Sequence, residues 1–136
     1  MIWMLDTDTV AYLVNRAPGH ERIKRRLSGR SPGEIRVSAV TLGELYYGFE
    51  RGDVSVERTQ ALRDLLELFQ TEDFPVGAAR TYGEIRAALE RVGRRIGPYD
   101  LLIAAHARHL GAVLVTNNER EFRRVPGLSV QNWLKA

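Results

Sequence analysis

Pro98-Tyr99-Asp100-Leu101-Leu102-Ile103-Ala104-Ala105-His106-Ala107-Arg108-His109-Leu110-Gly111 runs directly into Ala112-Val113-Leu114-Val115-Thr116-Asn117-Asn118. Pro98 suits the opening of a helix, where its missing N–H is not needed, and Gly111 suits the end, where a left-handed residue closes the last turn. Between them, Leu101 to Ala105 are apolar on nearly every face, which marks a helix sunk in a core. The β-rich run Ala112 to Val115 then reads as a strand. Outward from this stretch the same alternation recurs. Ile2 to Leu5 reads as a strand and Thr7 to Asn15 as a helix. Pro18-Gly19 precedes a basic helix from about Glu21 to Ser28, and the turn Ser31-Pro32-Gly33 leads into a strand over Ile35 to Ser38. Thr41 to Arg51 places Leu42, Leu45, Tyr46 and Phe49 at i, i+3, i+4 and i+7, one apolar helix face that puts Tyr46 in the core. A helix over Val56 to Gln70, a short strand at Phe74 to Val76 and a helix over Ala78 to Arg91 follow. Gly93 to Gly97 is a basic break, and Leu128 to Val130 is a last edge strand. Strands separated by helices require crossovers, hence a parallel sheet covered on both faces. The fold class is α/β, with four to five parallel strands flanked by helices.

The 136 residues fit one domain, with 44% hydrophobic and 27% charged residues as in a globular protein. There is no cysteine, which excludes thiol catalysis, disulfides and cysteine-ligated metals. Met1 to Leu5 lacks the basic start and long apolar stretch of a signal peptide. No run approaches the roughly 18 apolar residues needed to span a bilayer. The expectation is a cytoplasmic protein. Lysine plus arginine number 20 against 17 acids, a net charge of +3. All of the basic residues but Lys24 and Lys135 are arginine, whose planar fork suits phosphates and carboxylates.

In parallel α/β sheets, ligands bind beyond the carboxyl ends of the strands. Asp6 ends the first strand, and Thr116, Asn117 and Asn118 follow the run Ala112 to Val115, so both clusters open onto one edge. Asp6, Thr7 or Asp8 equally suits the cap of the next helix. Glu44 completes a Thr41-x-x-Glu44 capping-box pattern and lies off the apolar stripe, so a solvated glutamate explains it too. Yet Gly43 and Gly48 each cost about 1 kcal/mol relative to alanine in a helix interior, which a close approach beside Glu44 would explain. Asp100 sits in the first turn of its helix, where the dipole favours a carboxylate. It is also the only acid of that buried helix. Three carboxylates converging without basic partners repel one another, and a divalent ion removes the cost. Oxygen-only ligands select Mg²⁺ or Mn²⁺, an apparatus suited to phosphodiester hydrolysis.

The chain resembles the PIN-domain ribonucleases, and within them the VapC-type toxins of toxin–antitoxin pairs. The resemblance rests on Met4-Leu5-Asp6-Thr7, on Ser38-x-x-Thr41-x-x-Glu44-Leu45-x-x-Gly48, on Pro98-Tyr99-Asp100-x-x-Ile103-Ala104-Ala105-His106-Ala107 and on Val115-Thr116-Asn117-Asn118-x-x-Glu121-Phe122. The ending from Val125-Pro126-Gly127-Leu128 to Asn132-Trp133 is similar as well. The resemblance spans essentially the whole chain, in order. It implies a three-layer PIN-like domain over residues 1–136, in which Asp6, Glu44 and Asp100 hold Mg²⁺ or Mn²⁺. A fourth acid often follows the Thr-Asn pair in the family; here Asn118 stands there, and Glu121 is the candidate to supply the missing charge. Thr116 would orient a water or a ligand, with Asn117 and Asn118 accessory. The departure leaves the number of metals open between one and two, the favoured reading being one ion held tightly and a second arriving with substrate. It further implies an Mg²⁺-dependent endoribonuclease acting on structured RNA such as tRNA, a cognate VapB-type antitoxin and a homodimer.

Smaller features have plainer readings. His106 and His109 are three apart on a helix, but with carboxylates elsewhere they read as surface or core histidines, and His20 reads as loop. Arg22, Lys24, Arg25, Arg26 and Arg30 read as a solvated helix face. Arg91, Arg94 and Arg95 lie just before Asp100, so Arg94 and Arg95 are candidates for RNA or antitoxin contacts. Tyr47 and Tyr99 are candidates to stack bases. Two rival readings stay open. Asp6-Thr7-Asp8-Thr9-Val10 also fits the start of a haloacid-dehalogenase-like phosphatase, although that chemistry wants a mid-chain lysine that is missing here. The other rival is an inactive module that binds RNA or a partner.

Overall fold

Strands of three or four residues are too short to stand alone and persist only by pairing. β1 (Trp3–Leu5), β2 (Ile35–Ser38), β3 (Gln70–Glu72), β4 (Val113–Val115) and β5 (Ser129–Gln131) form one sheet in the order β3-β2-β1-β4-β5. Every neighbouring pair is parallel, and Leu5 lies level with Val37 on one side and Val115 on the other. The crossovers are made by α1 (Thr7–Asn15), α2 (His20–Leu27), α3 (Ala39–Arg51), α4 (Val56–Leu68), α5 (Gly77–Arg91), α6 (Pro98–Leu110) and the short α7 (Glu119–Phe122). The computed structural model describes residues 1–52 and 54–135.

Alternation along the strands sends side chains to two cores. Met4 and Leu114 pack with Ile85, Leu89, Ile103 and Phe122, so α5 and α6 cover that face. Leu5, Val37 and Val115 pack with Val10, Leu13, Ile23 and Leu62, so α1, α2 and α4 cover the other. This is the expected three-layer arrangement, with five strands. As expected, α6 is buried almost all round, with Leu101 and Ile103 through Ala107 all buried. Gly111 at φ 68° closes it, returning its N–H to the carbonyls of Ala107 and Arg108.

The chain end is stapled to the second core. Trp133, 1% exposed, lies 6.4 Å from Trp3, and the Arg30 guanidinium sits 4.4 Å over the Trp3 ring and 5.0 Å over Trp133. Arg22 donates to the Leu134 carbonyl at 2.8 Å. Two members of the basic cluster thus brace the fold rather than being merely solvated.

Several expectations need correction. The strand expected at Phe74 to Val76 is instead Gln70–Glu72, and α4 stops at Leu68 rather than Gln70. This strand is the sheet edge, so it is polar and largely exposed, and an Arg36–Glu72 ion pair fastens it to β2. Apolarity therefore does not mark it. Tyr46 is not core: it is 50% exposed and meets Phe49 edge-on at 6.5 Å. His20 opens α2 rather than lying in a loop.

Candidate metal centre

The chain lays down β1, β2 and β3 in one direction and then crosses back to add β4 and β5 on the other side. The order therefore reverses between β1 and β4, and the connections leaving their carboxyl ends diverge and open a crevice. Asp6 directly follows β1 and Thr116 directly follows β4, so both stand at that crevice. The Asp6 N–H donates to the Val115 carbonyl at 3.0 Å, prolonging the ladder by one residue. Its Oδ1 accepts the Thr9 N–H at 2.9 Å, and its Oδ2 accepts the Thr116 hydroxyl at 2.5 Å. The capping role is real, and it also fixes the carboxylate at the crevice. Burial pushes the Asp6 carboxyl up to about 6, outweighing the Thr116 and Thr9 hydrogen bonds.

Glu44 is carried by α3. The cap of that helix is Ser38, whose Oγ accepts the Val40 N–H at 3.1 Å, so the expected Thr41–Glu44 capping box is not formed. That frees the Glu44 side chain, and its Oε1 accepts the Thr7 hydroxyl at 2.5 Å. The Thr7 hydroxyl also lies 3.3 Å from that of Thr41. Glu44 is therefore half-buried and engaged rather than solvated. Gly43 and Gly48 do not serve a close approach: a Cβ on either would meet nothing within 4 Å.

Asp100 is the third residue of α6 and half-buried. No hydrogen bond or ion pair reaches its carboxylate among the described residues. Its carboxyl is pushed up to about 7, first by desolvation and then by the charges of Asp6, Glu121, Glu44 and Asp8. Glu121, on α7, accepts from the Asn118 side-chain amide, and the Asn118 N–H donates to the Thr116 hydroxyl at 2.8 Å. Thr116 thus links Asp6 to Asn118, and Asn118 links on to Glu121. Asn117 stands apart, exposed, with its Oδ1 accepting from Asn132 at 3.3 Å. Arg94 and Arg95 are exposed in the loop that leads to α6, and Tyr47 and Tyr99 are exposed on α3 and α6.

The acids share a neighbourhood, but among the described residues no three of them stand as the finished ligand set of one ion. Three of the four have a hydroxyl or amide partner to one side, Asp6 on Thr116, Glu44 on Thr7 and Glu121 on Asn118, while Asp100 has none among the described residues. No ion pair among the described residues involves any of the four. An all-oxygen donor set with mutual repulsion and no cation fits a hard divalent ion.

Sequence reasoning missed the threonine hydroxyls of Thr7 and Thr41, whose only signal is their place beside Asp6 and on the Glu44 helix. It also missed a buried pair. His106 Nδ1 and Ser38 Oγ lie 2.8 Å apart, both fully buried, and tie α6 to the start of α3. Burial pushes the His106 pKa down, favouring the neutral imidazole, and Phe74 meets the ring edge-on at 5.5 Å. The partners are 68 residues apart, so no local pattern announces them. His109 is exposed.

Comparison with known proteins agrees over nearly the whole length. The PIN domain family model matches residues 3–128. The tRNA(fMet)-specific endonuclease VapC of Shigella flexneri is 37% identical over 131 residues, 96% of this chain and 97% of that protein. Ribonuclease VapC2 of Haemophilus influenzae is 39% identical over 132 residues, covering 97% and 98%. The crystal structure of DNA-bound VapBC from Salmonella typhimurium superposes with a TM-score of 0.89 at 36% identity, covering 98% of both chains. With sequence, strand order and crevice in agreement, the chain belongs to the PIN-domain family, as a relative of the VapC ribonucleases.

Proposed function

We propose that this chain is an Mg²⁺- or Mn²⁺-dependent endoribonuclease, the toxin of a type II toxin–antitoxin pair, cleaving structured RNA with tRNA as the substrate class. The reading includes a cognate VapB-type antitoxin, a homodimer, one nuclease domain over residues 1–136 and a cytoplasmic location. Full-length relatives named as ribonucleases, and VapBC complexes of the same fold, support it. Among the described residues, no helix is long and apolar enough to cross a membrane. Membership of the PIN family sets aside the haloacid-dehalogenase-like phosphatase.

The observation that carries the reading is Asp100: a half-buried carboxylate with no ion pair among the described residues, near enough to Asp6, Glu121 and Glu44 to feel their charges. Asp6, Glu44 and Asp100 hold the ion, and Glu121 supplies the fourth negative charge from one turn beyond Asn118. A divalent ion held there would supply charge neutralisation at a scissile phosphate and lower the pKa of a water near it. The Thr116 and Thr9 donors aim the Asp6 carboxylate, and Thr7 aims Glu44. Arg94 and Arg95 meet backbone phosphates at the margin.

Asp6→Asn and Asp100→Asn are each expected to lower Mg²⁺-dependent cleavage of a tRNA by on the order of 100-fold or more, with folding confirmed by thermal melts. EDTA is expected to abolish the parental activity. Cleavage at the parental rate by either variant, or cleavage that survives EDTA, overturns the reading.

A further inference from the structure

Beside the acids, α3 and α6 enclose an open groove of about 800 Å³. Thr7 and Glu44 line it, so it is continuous with the metal centre. Tyr47 from α3 and Tyr99 from α6 also line it, 65% and 58% exposed. The core does not use these rings, since Tyr46 and not Tyr47 packs on Phe49, and the Arg51 guanidinium 5.7 Å from the Tyr47 ring is itself at the surface. Gly43 and Gly48 line the same groove, leaving it without side chains at both positions, although the backbone requires neither glycine: neither has positive φ, and nothing packs within 4 Å. Arg51 also lines the groove, seven residues and two helical turns beyond Glu44, roughly 10 Å along the axis.

We infer that this groove receives one unstacked nucleobase of a single-stranded RNA segment, with Tyr47 and Tyr99 as stacking surfaces and Arg51 on the adjoining phosphate. The inference rests on the nuclease reading and adds a base subsite to it. A flat ligand is favoured because the aromatic surfaces belong to two different helices and the glycines keep the groove open. A nucleotide is favoured over an apolar peptide because one end of the groove is the phosphate-hydrolysing centre and the other carries a cation. The segment must be single-stranded, since bases stacked in an A-form helix do not offer their faces. Stacking tolerates any base, so the subsite selects unpaired structure rather than sequence.

The test uses the full chain and single-stranded RNA oligonucleotides carrying 2-aminopurine at successive positions. Bound to the Asp100→Asn chain in Mg²⁺, one labelled position is expected to be quenched. Adding Tyr47→Ala is expected to remove the quench, and adding Tyr47→Phe to retain it. In the active chain, Tyr47→Ala and Tyr99→Ala are expected to raise KM roughly 5- to 100-fold. Gly48→Leu, which meets no neighbour at its Cβ, is expected to do the same by filling the groove while the melting temperature holds or rises. Active enzyme whose KM and quench are indifferent to all three substitutions overturns the subsite and leaves the nuclease reading intact. A parental chain that neither cleaves nor binds these RNAs overturns both. Loss of the parental oligomeric state with each variant, seen by light scattering, assigns the groove to a second copy of the chain and likewise overturns the subsite.

Discussion

Asp6 is 2% exposed, accepts two hydrogen bonds and has no ion-pair partner among the described residues, so its ionisation is opposed by the fold. Its carboxyl, near 3.8 when free, stands at about 6 in the folded chain. A raised pKa means that folding favours the protonated form. The Asp6 contribution is fully present below about pH 3.8 and is lost as the pH rises through 6. Two units correspond to about 3 kcal/mol at most. Glu119 works in the opposite sense, held at about 2 by Lys135, Asn132 and Arg123, so the Asp6 effect is read as a difference between chains. In EDTA, the parental chain is expected to lose melting temperature relative to Asp6→Asn between pH 4 and 7. Saturating Mg²⁺ at pH 8 is expected to recover most of the loss. Melting curves in which that difference is flat with pH, and Mg²⁺ has no effect at pH 8, contradict this picture.

At the scale of elements, legibility followed burial. The α6 boundaries were readable because Pro98 and Gly111 act locally and because a helix apolar on all faces has one home. Asp6 and Thr116 were readable for a related reason: each ends an apolar strand, and parallel sheets send those ends to one edge. The polar edge strand Gln70–Glu72 was not, since its pairing partner and its ion pair with Arg36 are remote in sequence. The Ser38–His106 link escaped for the same reason. Glu44 stands out in the sequence but its surroundings do not, because a capping-box pattern cannot reveal that Ser38 caps the helix first. Gly111 offers a direct check on the local reading. Its φ of 68° strains any residue with a Cβ, so Gly111→Ala is expected to cost about 1–2 kcal/mol in denaturant titrations. The same substitution at Gly43, an unstrained helix interior, is expected to stabilise by about 1 kcal/mol.

At the scale of the whole molecule, the chain end matters more than the family match suggests. That match stops at residue 128, yet β5 and Trp133 lie beyond it. Lys135 and Asn132 reach the Glu119 carboxylate at 2.6 and 3.1 Å, clasping this segment to α7. Deleting residues 129–136 is expected to abolish the cooperative thermal transition, and Trp133→Ala alone to cost about 3–5 kcal/mol. A truncated chain melting cooperatively near the parental temperature is the contrary result.

The sheet's order also has a bearing on synthesis. β1 is made first but sits in the middle, and its partner across the switch point comes 110 residues later, where Thr116 meets Asp6. An unfinished polypeptide tethered to a ribosome holds Asp6 and Glu44 without Asp100, Thr116 or the strand that seats them. The catalytic crevice therefore cannot assemble on the nascent polypeptide before β4 has emerged to lie beside β1.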